Sequence, residues 1–185
     1  MGRIEELAAH YERHISVPWQ RTIAGAQRVI IVVYQKDDER RLRARIGEFH
    51  QRTEAAGHGW SEFDCTRLFA EWMAKQEYRE EYFESPEDLS MKLDGRFIEA
   101  VAEPLRRALS SSGPTGVVGM TGVASLYGFA HISQLVRAVQ EDVQGRLVVF
   151  FPGTKDENNY RLLDARDGWN YLATCITLHG VGSAA

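Results

Sequence analysis

Two short apolar runs, Val117–Thr121 and Leu147–Phe151, are separated by one amphipathic segment, and no other feature constrains the fold as tightly. Each run lacks polar alternation and is soon followed by a glycine, Gly122 or Gly153, which marks strands buried on both faces. Between them Ile132, Leu135, Val136, Val139 and Val143 recur at helical spacing as one apolar stripe, and Gly145 suits the residue just past its end. Strand, helix, strand, with no room for a hairpin, predicts a right-handed βαβ unit in a parallel sheet.

The rest of the chain extends this pattern. Val29–Tyr34 reads as a buried strand and Trp60–Asp64 as a second, shorter one, with Leu172–Ile176 as an edge. Helices are expected over residues 3–15, from the acidic start at Asp37 through Phe49, and after Asp64 or Thr66 as cap. Ser85-Pro86 restarts a helix, with Ser at the cap and Pro in the first turn. Pro104 should kink or break the stripe of Phe97, Ile98, Val101 and Leu105, because it cannot donate to Ala100. The expectation is one α/β domain over residues 1–185. Its mainly parallel sheet of four or five strands is flanked by helices, Rossmann-like or degenerate P-loop-like, with a disordered tail over 177–185.

With 185 residues the chain is long enough for one sizeable core, and a net charge of −4 gives no general attraction to nucleic acid or anionic lipid. The two cysteines, Cys65 and Cys175, form no CxxC and read as buried free thiols in a reducing compartment. No signal peptide, membrane span or lipidation box is evident, which points to the cytoplasm. His10 and His14 have a metal-compatible i, i+4 spacing but lack a third ligand, so no metal and no cofactor is expected.

Open parallel sheets bind ligands at the carboxyl ends of their strands. There Gly122-Val-Ala-Ser125 has the outline of a phosphate-binding turn, with Ser125 as a cap or anion donor. The Walker lysine, its following Ser or Thr, the Walker-B acid and GxGxxG are all missing. Nucleotide or anion binding at Gly122 and Ser125 without hydrolysis is therefore the alternative reading. A hydrolase built on Ser125 with His131 or His179 lacks GxSxG. No catalytic residue is assigned.

Arg40, Arg41, Arg43 and Arg45 resemble a nucleic-acid patch, but Asp37–Arg41 and Glu39–Arg43 stand at the i, i+4 spacing of salt bridges, so direct nucleic-acid binding is not expected. Glu77 to Glu84 interleave with Tyr78, Tyr82 and Phe83, as either an acidic docking face or a solvated helix end. The densest run comes late. Asn158, Asn159, Tyr160, Arg161, Asp164, Arg166, Asp167, Trp169, Asn170 and Tyr171 crowd around one glycine. They read either as a self-paired turn and edge strand or as a recognition surface, since Trp, Tyr and Arg carry much of interface energy.

This last motif, Asn158 to Ala173, occurs together with Val149–Gly153, Gly57-His-Gly-Trp60 and Phe69–Tyr78. In these stretches the chain resembles the BrxB family of BREX bacteriophage-exclusion systems. The likeness runs from the first helix to about Ile176. It implies a bacterial cytoplasmic protein needed for phage defence, encoded beside a methyltransferase, ATPase-like proteins and the alkaline-phosphatase-like protein PglZ. No active-site motif carries over. The expected role is a non-enzymatic adaptor that contacts PglZ or another BREX component through the late motif, with homo-oligomers compatible.

Overall fold

A computed structural model describes residues 2–157, 159–163, 165–169 and 173–183, with the backbone alone at 167–169 and 183. Among the described residues eight strands are formed: β1 (Val29–Tyr34), β2 (Gly59–Asp64), β3 (Gly116–Thr121), β4 (Arg146–Asp156), β5 (Asn159–Leu162), β6 (Ala165–Trp169), β7 (Thr174–Thr177) and β8 (Gly180–Ser183). Their order is β2-β3-β4-β1-β7-β8, with β5 and β6 as a hairpin branching from β4. β2, β3, β4, β1 and β7 pair in parallel, and the remaining pairings are antiparallel. This is a single, mainly parallel α/β domain. The five strands assigned from the sequence are its parallel part, and the other three are all antiparallel additions.

Helices cover the faces: α1 (Arg3–Ile15), α2 (Glu39–Ala55), α3 (Leu68–Ala74), α4 (Arg79–Glu84), α5 (Ser90–Lys92), α6 (Ile98–Ser112) and α7 (Ile132–Val139). Strand periodicity sorts β1 between two cores. Ile30, Val32 and Tyr34 pack with α1 and α2 through Leu7, Tyr11, Ile15, Leu42 and Phe49. Val29, Ile31 and Val33 pack with α6 and α7 through Val101, Leu105, Leu109, Leu135 and Val139. The predicted βαβ unit is present, with Val118 opposite Leu147 and α7 in the connection.

Several local expectations are corrected. The helix after β3 ends at Val139 and a 3₁₀ turn, Gln140–Asp142, replaces its last turn, so Gly145 is not its end residue. α6 runs unbroken through Pro104, and the irregularity lies before it as a π-helical turn, Leu93–Phe97. Asp64 and Thr66 do not cap α3, which follows Arg67. Instead the Thr66 N–H donates to Asp64 Oδ1 at 2.9 Å in a local turn. β7 is interior rather than an edge, because β8 pairs beside it, and residues 180–183 are a strand rather than a disordered tail. Cys65 and Cys175 are buried and unpaired, and burial pushes both thiols up. Among the described residues no helix is long and apolar enough to cross a membrane.

Candidate functional site

The strand order places a switch point at β1, whose connection leads to one side of the sheet while β7 lies on the other. β4 does not stop there. Pro152 is its last residue paired with β1, opposite Tyr34, and from Gly153 onward it pairs with β5. Glycine is required at 153, since a Cβ would overlap the Arg161 carbonyl. Two tight turns shape the resulting ribbon, and each begins with a residue of positive φ, Glu157 at +50° and Leu163 at +57°. Short hairpin turns need that conformation and normally recruit Asn or Gly. The Leu163 N–H donates to the Pro152 carbonyl at 2.8 Å, which extends the β4–β5 pairing one step to the residue where β4 leaves β1.

A groove of about 390 Å³ lies between this hairpin and two other segments. Leu162, Ala165 and Arg166 come from the hairpin, residues 127–131 from the connection after β3, and Leu93 and Asp94 from the π-helical turn. Turns of that type recur at functional sites because they expose backbone that a regular helix would satisfy. Phe129 is fixed by stacking on Phe69 at 3.6 Å between ring centroids. Leu93, Phe129, Ala130 and Leu162 supply apolar lining, while Tyr127, Asp94, His131 and Arg166 supply hydrogen-bonding and charged groups. Such a mixture accepts an apolar anchor and orients it by polar contacts at the margin. Tyr127 is exposed, and Met91, next to groove-lining Ser90, is 88% exposed.

The late motif divides in three. Arg166 lines the groove, Arg161 is exposed on β5 and Asn159 is half-buried. Tyr160 is only 2% exposed and packs edge-on against Phe151 at 5.7 Å, so it is a core residue and not a contact residue, a correction to the sequence reading. Asp167 and Trp169 belong to β6 but their side chains are not described, and Asn158, Asp164, Asn170 and Tyr171 lie outside the described residues.

Gly122 and Ser125 have a different setting from the one their sequence implies. Gly122 adopts φ +68° and opens a four-residue 3₁₀ turn, Val123–Leu126, that contains Ser125. The helix itself starts only at Ile132 behind His131, so Ser125 is not its cap and its N-terminus does not follow directly on Gly122. A Cβ on Gly122 would lie 2.5 Å from Thr66 Oγ1 and 2.6 Å from Asp64 Oδ1. The adjoining cleft of about 210 Å³ is lined by Glu39, Glu62 and Asp64 against one cation, Arg43. Arg43 is engaged, donating to Glu39 at 2.7 Å and to Thr66 Oγ1 at 2.9 Å. Tyr34 also donates to Glu39, and burial pushes its phenol far up. Three carboxylates line this cleft, and their like charge opposes an anion there.

The second-helix arginines are paired, with one change of partner. Arg43 meets Glu39 as expected, but Arg41 meets Asp38 at 2.8 Å rather than Asp37. Arg45 bridges Glu5 and Glu48. Of the acidic-aromatic stretch, Tyr82 is core while Tyr78 and Phe83 are exposed. His179 is exposed in the turn between β7 and β8.

Comparisons with protein-family models, with curated proteins and with solved structures find no match to this chain. Sequence reasoning missed Asp94, Tyr127 and the π-helical turn, because the groove is assembled from three segments distant in sequence. The one local signal was Tyr127-Gly128-Phe129, an aromatic pair around a glycine that adopts φ +80°.

Proposed function

We propose that this chain is a non-enzymatic adaptor of a BREX phage-defence assembly, holding PglZ or a neighbouring BREX component in the groove between the β5–β6 hairpin and residues 127–131. The observation that carries the reading is the mixed apolar and charged lining of that groove, to which the late motif contributes Arg166. The resemblance to BrxB supplies the partner. Catalysis has no support in the carboxyl-edge cleft, where Glu39, Arg43, Asp64 and Thr66 satisfy one another rather than facing a substrate.

The test is co-purification of the tagged chain with each BREX component, using wild type, Arg166→Ala, Tyr127→Ala and Trp169→Ala, with circular dichroism alongside. If Arg166 is an anchor, its truncation costs about 2 kcal/mol or more in binding and leaves the fold intact. Tyr160→Ala is the contrasting control. It should lower the melting temperature, because truncating a large buried aromatic residue costs ~3–5 kcal/mol of stability. Wild-type protein that retains no BREX component refutes the adaptor role. Groove variants that bind normally move the contact to Tyr78 and Phe83.

A further inference from the structure

The amino end of the sheet carries a second cavity, of about 330 Å³, lined by Trp19, Arg21, Arg28, Thr115, Gln144 and Arg146 among others. Two of its three cations are brought together by strand register. Val29 stands opposite Leu147 in the parallel β1–β4 pair, so the residues one step earlier, Arg28 and Arg146, lie side by side. Arg28 is held by backbone carbonyls, donating to Val143 at 2.7 Å and to Arg21 at 3.0 Å.

Arg146 is the anomaly. It is only 8% exposed, yet among the described residues neither it nor Arg28 nor Arg21 has a carboxylate within salt-bridge distance, and no acid lines the cavity. Its guanidinium donates to the Gly145 carbonyl at 2.9 Å and lies 4.4 Å from the centre of the Trp19 ring. The ring attracts the cation but does not neutralise it. Burial, with the like charge of Arg28 added, drives Arg146 below the ordinary arginine range. A buried cation without a counter-charge destabilises a fold unless an anion joins it. In a chain of net charge −4, where most other arginines are salt-bridged, these three are kept apart from acids.

We propose that this cavity is a binding site for a small phosphate monoester, with Arg146 and Arg28 holding the phosphate and Arg21 closing over it. Guanidinium groups match the phosphate oxygens in pairs, and a dianion answers more than one positive charge. The cavity exceeds a bare phosphate in size, and Thr115 and Gln144 offer neutral hydrogen-bonding groups to the organic part. The site lies at the opposite end of the strands from Gly122 and from the groove, so it is independent of the adaptor role.

The experiment is a thermal-shift and calorimetric titration of the full chain with inorganic phosphate, ribose 5-phosphate and AMP. Chloride keeps the ionic strength constant, and sulfate serves as a second dianion. Ligand that binds only the native state raises the melting temperature with concentration. A saturable rise is expected, with at least tenfold weaker binding for Arg28→Gln and Arg146→Met and unchanged binding for Arg41→Gln. Arg146→Met should also melt no lower than wild type without ligand, because it removes an uncompensated buried charge. Tighter binding of AMP than of ribose 5-phosphate would assign the neutral groups to a base, and the reverse order to the sugar alone. The proposal is overturned if no phosphate compound shifts the melting point beyond the chloride control, or if the shift survives in both arginine variants.

Discussion

The Tyr11 hydroxyl lies 2.6 Å from Thr53 Oγ1, a buried hydrogen bond that ties α1 to α2 across 42 positions of sequence. Thr53 Oγ1 in turn donates to the Phe49 carbonyl at 2.7 Å, so the tyrosine is the donor and the threonine the acceptor. Burial raises the Tyr11 phenol well above its ordinary value. Tyr11→Phe removes one satisfied bond and should cost about 1 kcal/mol. Thr53→Val strands a buried hydroxyl and should cost more, up to ~3 kcal/mol. Urea denaturation of both variants and the double variant tests this. The double variant should lose less than the sum of the two, and strict additivity would show that the groups are not coupled.

Glu157 opens the first hairpin turn in the left-handed region, where a glutamate side chain is disfavoured. Its side chain is exposed, so a smaller residue forfeits little burial. Glu157→Asn or Glu157→Gly should therefore raise stability by about 0.5 kcal/mol or more, read as a higher urea midpoint at unchanged slope. A lower midpoint would place the turn in another conformation.

Gly153 marks the point where β4 leaves the parallel sheet, with the Arg161 carbonyl against its Cα. Gly153→Ala must push β5 away. A loss of about 1–3 kcal/mol is expected, as for other overpacked sites. Amide exchange should localise the change to 159–169, and a variant as stable as wild type would contradict the close approach.

Burial holds the imidazoles of His14 and His58 below their ordinary value of 6.5, and the charge of Arg146 acts in the same direction. Below about pH 6.5 the unfolded chain takes up protons that the native state refuses, so stability falls as the pH drops. Glu5, held low first by the Gly2 N–H and then by Arg45, adds a separate loss only below its ordinary 4.5. Urea midpoints at pH 7.5 and 5.5 should differ, and His14→Gln with His58→Gln should narrow the gap. Equal wild-type midpoints would argue against neutral histidines.

The parallel sheet could be read from the sequence because burial on both faces leaves uninterrupted apolar runs, as in Val29–Tyr34 and Leu147–Phe151, and local periodicity then assigns the helices between them. β8 was not foreseen, and β5 and β6 were foreseen only as one reading of the late motif, a turn and edge strand rather than a hairpin on β4. Each is short and pairs antiparallel, and the four residues Asn159–Leu162, though they alternate between half-buried or exposed and buried, are too few to fix a register without the strand beside them. The same distinction applies to function. The wealth of Asn, Arg and aromatic residues after Asn158 is visible along the chain, but only packing decides that Tyr160 turns into the core while Arg166 turns to the groove. The glycine of Gly122-Val-Ala-Ser125 is likewise plain in the sequence, whereas the carboxylates beside it arrive from β2 and α2. The pairing of Arg28 with Arg146 was settled by the register of two strands more than a hundred residues apart, a relation set by long-range contact and written in no local stretch.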